Sequence, residues 1–452
     1  MDDGTKLVAA VRQGDAAAVA GLLEAGADPD TVTEDGLPVL CAAIAAFDTV
    51  VAKALVEAGA DQDRSLSDGT TPLVRAVDSG SPAVVAEVLG LEPRLRLTEN
   101  ERQRLLDVVG SWCERDAEDE LRRRTGMSGP VQRVPAMDDE YHHAGQLTLG
   151  GLTVRDGHGA ILTDLEWAFR VLTPVDDLVA RAAKRRDPDH VDWAAVRGVL
   201  GERRSRETWS AVAAYRHSTR PERRRFVLDV AFGLLLAFGS WRNSYETEVT
   251  ELVAAWAHQG DDDPDVLAEV LRVLDETECE ERTAVGLRYA VHPDARVRAR
   301  VPELLRSGAT SPAPLDAAVR TALVALAGDE DWRVRVGAGR VLSAQYDGSA
   351  EVAEAVVRLL RDPEAQVRGG AAEAAAAGED RTAELADALA ALMDEDDFGV
   401  RLDVAYGLLR RDDPRTAEAI GRLGRTYDPA YWHDHRLSAV IRSGRAAGST
   451  EE

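Results

Sequence analysis

The chain is poor in the residues that usually betray chemistry. Its 452 residues hold three cysteines, Cys41, Cys113 and Cys279, which are far apart and in no CxxC pair. That excludes a paired disulfide framework and a cysteine knuckle for metal, and points to a reducing compartment in which the thiols are core residues. Lysine stands only at positions 6, 53 and 184, and arginine carries the remaining positive charge. No apolar run approaches the roughly 20 residues of a membrane span. The opening "MDDGTKLVAAVRQGD" is acidic, and its apolar run is too short for a secretory leader. A cytoplasmic location with no membrane partner is the expectation. GxSxG, P-loop and HExxH signatures are missing, and "LTLGGLTV" lacks the strand–loop–helix setting of a nucleotide-binding glycine loop. No cofactor and no catalytic residue is therefore expected.

Alanine, leucine and acid are what the chain has in quantity. The formal net charge is −26, so the average surface repels nucleic acid and anionic membranes. Internal repeats come next. In the first hundred residues a shift of 33 superimposes Leu7, Leu40 and Leu73, then Ala10, Ala43 and Ala76, then Leu22, Leu55 and Val88. The loops follow, "AGADPD" at 25–30 returning as "AGADQD" at 58–63 and "DG" at 35–36 returning at 68–69 before "TTPL". Each unit reads as two short helices, a turn at Gly14 or Gly80, and a left-handed glycine before an extended finger.

A different unit repeats at the other end. A shift of 33 aligns Val334, Val367 and Val400, each followed by arginine at 335, 368 and 401, and a shift of 37 reaches Val297 and Arg298. Asp263-Pro264, His292-Pro293, Asp362-Pro363 and Asp413-Pro414 read as helix starts, an N-cap acceptor before a residue that needs no amide donor. Between the arrays the period breaks. "LRRRTGMSGPVQRVPAMDDEYHHAGQ" reads as a loop or a partly disordered stretch, and "LTLGGLTVRDGH" as a short hairpin around Gly150-Gly151.

The N-terminal units resemble the ankyrin repeat, reproducing most of its DGxTPL, mid-repeat glycine and LLxxGAD pattern over about residues 2–97. They depart from it where Val8, Cys41 and Val74 replace the usual histidine, and where the third copy loses its GAD, as a terminal cap would. The DPxxxVR units resemble the HEAT repeat. The segments "RDGHGAILTDLEWAF" and "DPDHVDW" are similar to stretches of uncharacterised actinobacterial HEAT-repeat proteins. The expected fold is all-α: an ankyrin array at 1–97, an irregular connecting segment with a short β-hairpin at 98–173, a HEAT-type α-solenoid at 174–442, and a disordered tail at 443–452.

The resemblances imply an interaction scaffold that binds a protein or peptide. On the ankyrin fingers the candidates are Asp30, Glu34, Asp63, Arg64 and Asp68, mostly acidic and so suited to a basic partner. In the HEAT pattern, Arg298, Arg335, Arg368 and Arg401 are implied to form a structural ladder with an aspartate of the same or the next repeat, as in Asp294 with Arg298 or Asp331 with Arg335. On the opposite helix face, Arg296, Glu303, Arg333, Arg340, Gln366, Glu373 and Tyr406 form the expected concave surface. Their mixed signs do not make the sustained basic row that phosphates require, which disfavours a nucleic-acid partner.

Residues 170–225 do carry fourteen Arg or Lys against eight Asp or Glu, with Trp167, Trp193, Trp209, Trp241 and Trp256 in or beside them. Basic plus aromatic residues suit an anionic ligand, and Asp192, Trp193, Arg203, Arg204, Arg206 and Trp209 are the candidate patch. The rival to a scaffold is an enzyme or nucleic-acid-binding protein resembling the HEAT-like alkylpurine DNA glycosylases, with that cluster as its site. His142, His143 and His158 lie near Asp138, Asp139 and Glu140, but no spacing places them on one helix face, and no metal is expected. "YWHDHR" at 431–436 receives the same reading.

Overall fold

The computed structural model describes residues 3–236, 243–306, 315–424 and 429–448. Two compact units divide the chain, Met1–Leu234 and Leu235–Glu452.

The first unit begins with three helix pairs: α1 (Asp3–Gln13) and α2 (Ala16–Glu24), α3 (Val39–Ala45) and α4 (Thr49–Glu57), α5 (Pro72–Ser79) and α6 (Pro82–Leu89). Each second helix starts on a side-chain cap, from Asp15, Asp48 and Ser81 in turn. The turn inside each pair needs a left-handed residue. Gly14 and Gly80 supply it, whereas the equivalent Phe47 adopts φ +56° as a non-glycine residue. The guanidinium of Arg155 lies 4.4 Å from the Phe47 ring centre. Leu7, Leu40 and Leu73 are buried in one continuous core, with Val74 taking up the place of the missing histidine by packing.

That core does not stop at the third pair. After a turn at α7 (Pro93–Arg96) come α8 (Glu99–Cys113), opened by a Thr98/Glu101 capping box, and α9 (Ala117–Thr125). Three antiparallel strands follow, β1 (Gln132–Met137), β2 (His143–Leu149) and β3 (Leu152–Arg155), in the order β1-β2-β3. Then come α10 (His158–Ala168), α11 (Val175–Ala183), α12 (Val191–Glu202), α13 (Arg206–Ala214) and α14 (Pro221–Leu236). α8 packs on α5, α10 packs on α6 and α8, and Leu105, Val109, Ile161 and Leu165 join the core of the three pairs. The helices α8 and α10 thus add a fourth pair, split by an insertion that carries α9 and the sheet.

Three expectations change here. The third repeat is no terminal cap, because α8 and α10 cover its end. The segment read as loop or disorder contains β1, which pairs with β2 from Gln132↔Thr148 to Met137↔His143. The hairpin at Gly150-Gly151 is present, with both glycines at positive φ, and it is extended by that third strand. Leu147, Leu149 and Val154 pack the sheet on Trp112, Ala117 and Leu121. Its far end docks on the third repeat, where buried Asp138 accepts from Ser81 Oγ at 2.6 Å, from the Ala83 amide at 2.9 Å and from Arg155 at 2.7 Å. The fingers lie at the other end of the helix pairs.

The second unit holds α15 (Asn243–Gln259), α16 (Pro264–Asp275), α17 (Arg282–Tyr289), α18 (Ala295–Arg298), α19 (Val301–Leu304), α20 (Ala317–Leu326) and α21 (Trp332–Ala344). It continues with α22 (Ala350–Leu360), α23 (Ala365–Ala377), α24 (Ala383–Ala390), α25 (Phe398–Leu409), α26 (Thr416–Arg422) and α27 (His435–Gly448). One layer stacks α19, α21, α23, α25 and α27, and the other stacks α20, α22 and α24. Asp263 caps α16 with Pro264 at its first turn, as expected. At the other Pro motifs the helix starts later: Asp294 and Glu364 are the N-caps of α18 and α23, and Asp362 and Asp413 instead accept the amides of Glu364 and Arg415 two residues on. α27 runs to Gly448, into the stretch read as a tail, and residues 449–452 lie outside the described residues.

Candidate functional sites

The repeat arginines are consumed by the scaffold. Arg335 is 8% exposed and donates to the Asp329 and Glu330 carbonyls at 2.9 and 3.0 Å, which ties down the loop before its own helix. Its remaining donors reach forward to Asp362 at 2.9 Å and Glu364 at 3.2 Å. Arg298 does the same with the His292 and Pro293 carbonyls and with Asp329, and Arg368 with the Asp362 and Pro363 carbonyls and with Glu395. The ladder therefore joins Arg298, Arg335 and Arg368 each to an acid of the next repeat. Asp294 and Asp331, expected as alternative partners, are spent on the amides of Arg296 and Arg333. Arg401 holds the Glu395 and Asp396 carbonyls.

The opposite helix face is exposed and of mixed sign. Arg296 pairs with Asp294 and Asp265 at 2.7 Å each, and Glu303 with Arg306 at 3.2 Å. Arg340 and Glu373 approach to 3.9 Å with both side chains more than half exposed. Arg333 lies over the Trp332 ring at 4.6 Å, Gln366 is exposed, and Tyr406 meets His435 edge-on at 5.7 Å. The row forms loose cross-repeat pairs, and no basic track runs along it.

On the fingers, three of the five candidates shape the loops. Asp30 accepts the Asp61 amide of the next finger at 2.9 Å, Asp63 is ion-paired with Arg96, and Asp68 accepts from Arg75 at 2.8 Å and from Thr70. The Thr70 bonds hold the Asp68 carboxyl down at about 2. Glu34 and Arg64 are exposed, with no side-chain partner among the described residues. They are the two finger candidates that shape no loop.

In the candidate anionic-ligand patch Arg204 and Arg206 are exposed, whereas the acid and both indoles are buried. Asp192, Trp193 and Trp209 are 3%, 1% and 7% exposed. The Trp193 indole donates to Asp229 at 2.8 Å and packs edge-on against Phe226. Arg203 donates to the Thr173 carbonyl at 2.7 Å, and neither Arg204 nor Arg206 is free. Buried indoles cannot stack on a ligand, so these residues anchor helices instead. Trp256 is buried, Trp167 donates to Glu202, and Trp241 lies outside the described residues.

The structure instead brings together the two segments "RDGHGAILTDLEWAF" and "DPDHVDW". Buried Asp156 accepts from Arg133 at 2.9 Å, Arg185 at 3.0 Å, His190 at 3.2 Å and the Gly145 amide at 2.6 Å. Burial alone would raise its carboxyl, but the His190 bond and the Arg185 charge hold it far below the usual carboxylate range. Asp192 accepts the Ala160 amide at 2.7 Å and Arg185 Nε at 3.1 Å. Arg185 thus bridges the sheet, α10 and α12. Beside this clasp lies a cleft of about 250 Å³ walled by Trp112, Cys113 and His158 on one side and by Asp177, Arg181, Lys184 and Arg185 on the other. The spacing of 177, 181, 184 and 185 puts those four on one face of α11 and its continuation. The His158 ring stacks on Trp112 at 4.4 Å with Nε2 3.3 Å from the Asp78 carbonyl, and desolvation pushes its imidazole down to about 4. Burial raises the Cys113 thiol to about 11, so it is no nucleophile. This site was legible as two unusual segments, but nothing in the linear pattern joined them to Trp112 and Cys113.

The loop histidines pair singly, His142 with Asp139 and His143 with Asp187, each at 3.0 Å. Among the described residues no group of three or more His, Cys, Asp or Glu is placed to hold a metal ion. No described helix is long and apolar enough to cross a membrane.

Comparison with known proteins gives three findings. No curated protein matches. Among solved structures, the X-ray structure of the YibA protein of Escherichia coli is similar at 16% identity, over 56% of this chain and 93% of that one, with a TM-score of 0.40. A family model described as ankyrin repeats, three copies, matches residues 7–96, so the N-terminal part of this chain carries ankyrin repeats.

Proposed function

We propose that the protein is a non-catalytic, cytoplasmic interaction scaffold or adaptor that binds a protein or peptide on its repeat surfaces. The observation that carries this reading is the ankyrin array at residues 7–96, a protein-interaction module. Its fingers leave Glu34 and Arg64 exposed while the neighbouring carboxylates fix the loops, and the inserted sheet docks at the other end of the helix pairs. The helix pairs of the second unit read best as HEAT repeats of the type met in actinobacterial proteins. The DPxxxVR arginines that hold repeat to repeat support this, and the exposed row from Arg296 to Tyr406 offers a second partner face. Domain limits near 97, 173 and 442 rest on the repeat pattern alone, while the core of the helix pairs runs on past 97 into α8 and α10 and the compact units divide between Leu234 and Leu235. The burial of Trp193 and Trp209 counts against the rival DNA-glycosylase-like reading.

Affinity capture from a native lysate of the source organism at low salt tests the proposal. A stoichiometric protein partner is expected, and recovery of none across independent preparations would overturn it.

A further inference from the structure

The cleft beside Arg185 has the marks of a built binding site. Its size, about 250 Å³, falls below that of sites for drug-sized ligands and suits a molecule of amino-acid size. Two of its cations are held rigidly by side chains behind them. Arg181 is clamped by Glu166 at 3.0 Å and Thr163 at 2.6 Å, and Arg185 by Asp156 and Asp192. All three Arg185 nitrogens donate, Nη2 to the Asp156 carbonyl at 2.7 Å, which leaves one N–H on each terminal nitrogen, and Arg181 keeps its Nε–H and one Nη2–H. Lys184 stands beside them, exposed and with no side-chain partner among the described residues. Such fixed donors suit the paired oxygens of a carboxylate.

The cleft also carries the opposite charge. Asp116 and Asp177 line it, both are exposed, and Asp177 has no partner among the described residues. A bare anion would meet their repulsion, whereas a ligand with an ammonium group beside its carboxylate gains from both signs. Arg115, paired with Glu120 at 3.6 Å, adds one more cation at the wall, and the rest is formed by the Trp112 and His158 rings and the Cys113 thiol. The buried His158 Nδ1 has no hydrogen-bond partner, and with Nε2 facing a carbonyl it is an acceptor. Holding Asp156 and Asp192 as buried ions is costly, and an apolar floor would serve stability as well. A preorganised floor for a polar ligand accounts for that cost.

We propose that this cleft binds a small zwitterion, a free α-amino acid, with its carboxylate on Arg181, Lys184 and Arg185 and its ammonium group toward Asp177 and Asp116. Titration calorimetry and thermal shift on the full chain test it, using each of the twenty L-amino acids, with acetate and inorganic phosphate as separate arms. Binding by one or a few amino acids, with Kd near or below about 1 mM, is expected. Lys184→Glu should weaken it at least about tenfold, Lys184→Arg should retain it, and Asp177→Lys should weaken it. All three variants should keep the unliganded melting temperature, since both side chains are exposed. Binding of acetate or phosphate as tight as that of any amino acid would overturn the zwitterion. So would silence across the whole panel, or amino-acid binding indifferent to both charge reversals.

Discussion

Replacing Arg335 by alanine should destabilise the second unit more than any neighbouring arginine substitution. The side chain is 10% exposed and its partner Asp362 is 11% exposed. Truncation leaves that carboxylate inside the stack without its bidentate partner, and the Asp329 and Glu330 carbonyls lose their donors as well. Removing one partner from a buried ion pair costs about 3–5 kcal/mol, most of it from the charge left behind. Arg333, two residues away, is 64% exposed on its side chain, and its nearest carboxylate is 3.8 Å distant. Its truncation should change stability by no more than about 0.5 kcal/mol. Urea unfolding, followed together with hydrogen exchange in peptides covering α21 and α23, would resolve the two. In a repeat stack the loss should be concentrated in the affected repeat and its neighbours. The double change Arg335→Ala and Asp362→Ala should recover part of the loss, since no lone charge then remains. A cost for Arg335→Ala below about 1 kcal/mol, or equal costs for Arg333→Ala and Arg335→Ala, would refute the assignment of this arginine to the scaffold.

Three further outcomes follow from the first unit. The folded-state imidazole of His158 lies at about 4 against an ordinary 6.5, so its neutral form stabilises the fold fully above pH 6.5. That contribution, about 3 kcal/mol, should fade as pH falls toward 4, and His158→Phe should lose this part of the acid sensitivity in thermal melts taken across the range. A β-carbon at Gly80, which has φ +77°, would lie 1.8 Å from the Arg155 carbonyl oxygen, so Gly80→Ala should cost at least about 2 kcal/mol in chemical unfolding. With its thiol at about 11, Cys113 should alkylate with iodoacetamide at neutral pH about 100-fold more slowly than a free cysteine peptide, read by mass spectrometry.

The repeats were legible because they obey one-dimensional rules. Leu7, Leu40 and Leu73 recur at a fixed shift and each is buried, and Val334, Val367 and Val400 do likewise, except that Val400 is only half-buried. The sense of the arginine ladder was open, because Asp294 and Asp362 look alike in sequence. The pairing goes forward to Asp329, Asp362 and Glu395, while the nearer acids Asp294 and Asp331 cap helices. The insertion between α8 and α10 stayed hidden for another reason. Its strand β1 is almost wholly exposed and includes Pro135, so it shows no alternation of apolar and polar residues. The tryptophan-rich basic stretch misled in the opposite way. Trp193 and Trp209 are placed by burial, and among their basic neighbours Arg203 ties down the Thr173 carbonyl.

If this chain works as an interaction scaffold, the exposed fingertip charges Glu34 and Arg64 should contribute to partner affinity. The direct measurement is the affinity of its captured partner for wild type and for the double variant Glu34→Lys, Arg64→Glu, at low and at physiological salt. An unchanged melting temperature and a loss of at least about tenfold in affinity, larger at low salt, are expected. Equal affinity for a folded double variant would contradict that contribution.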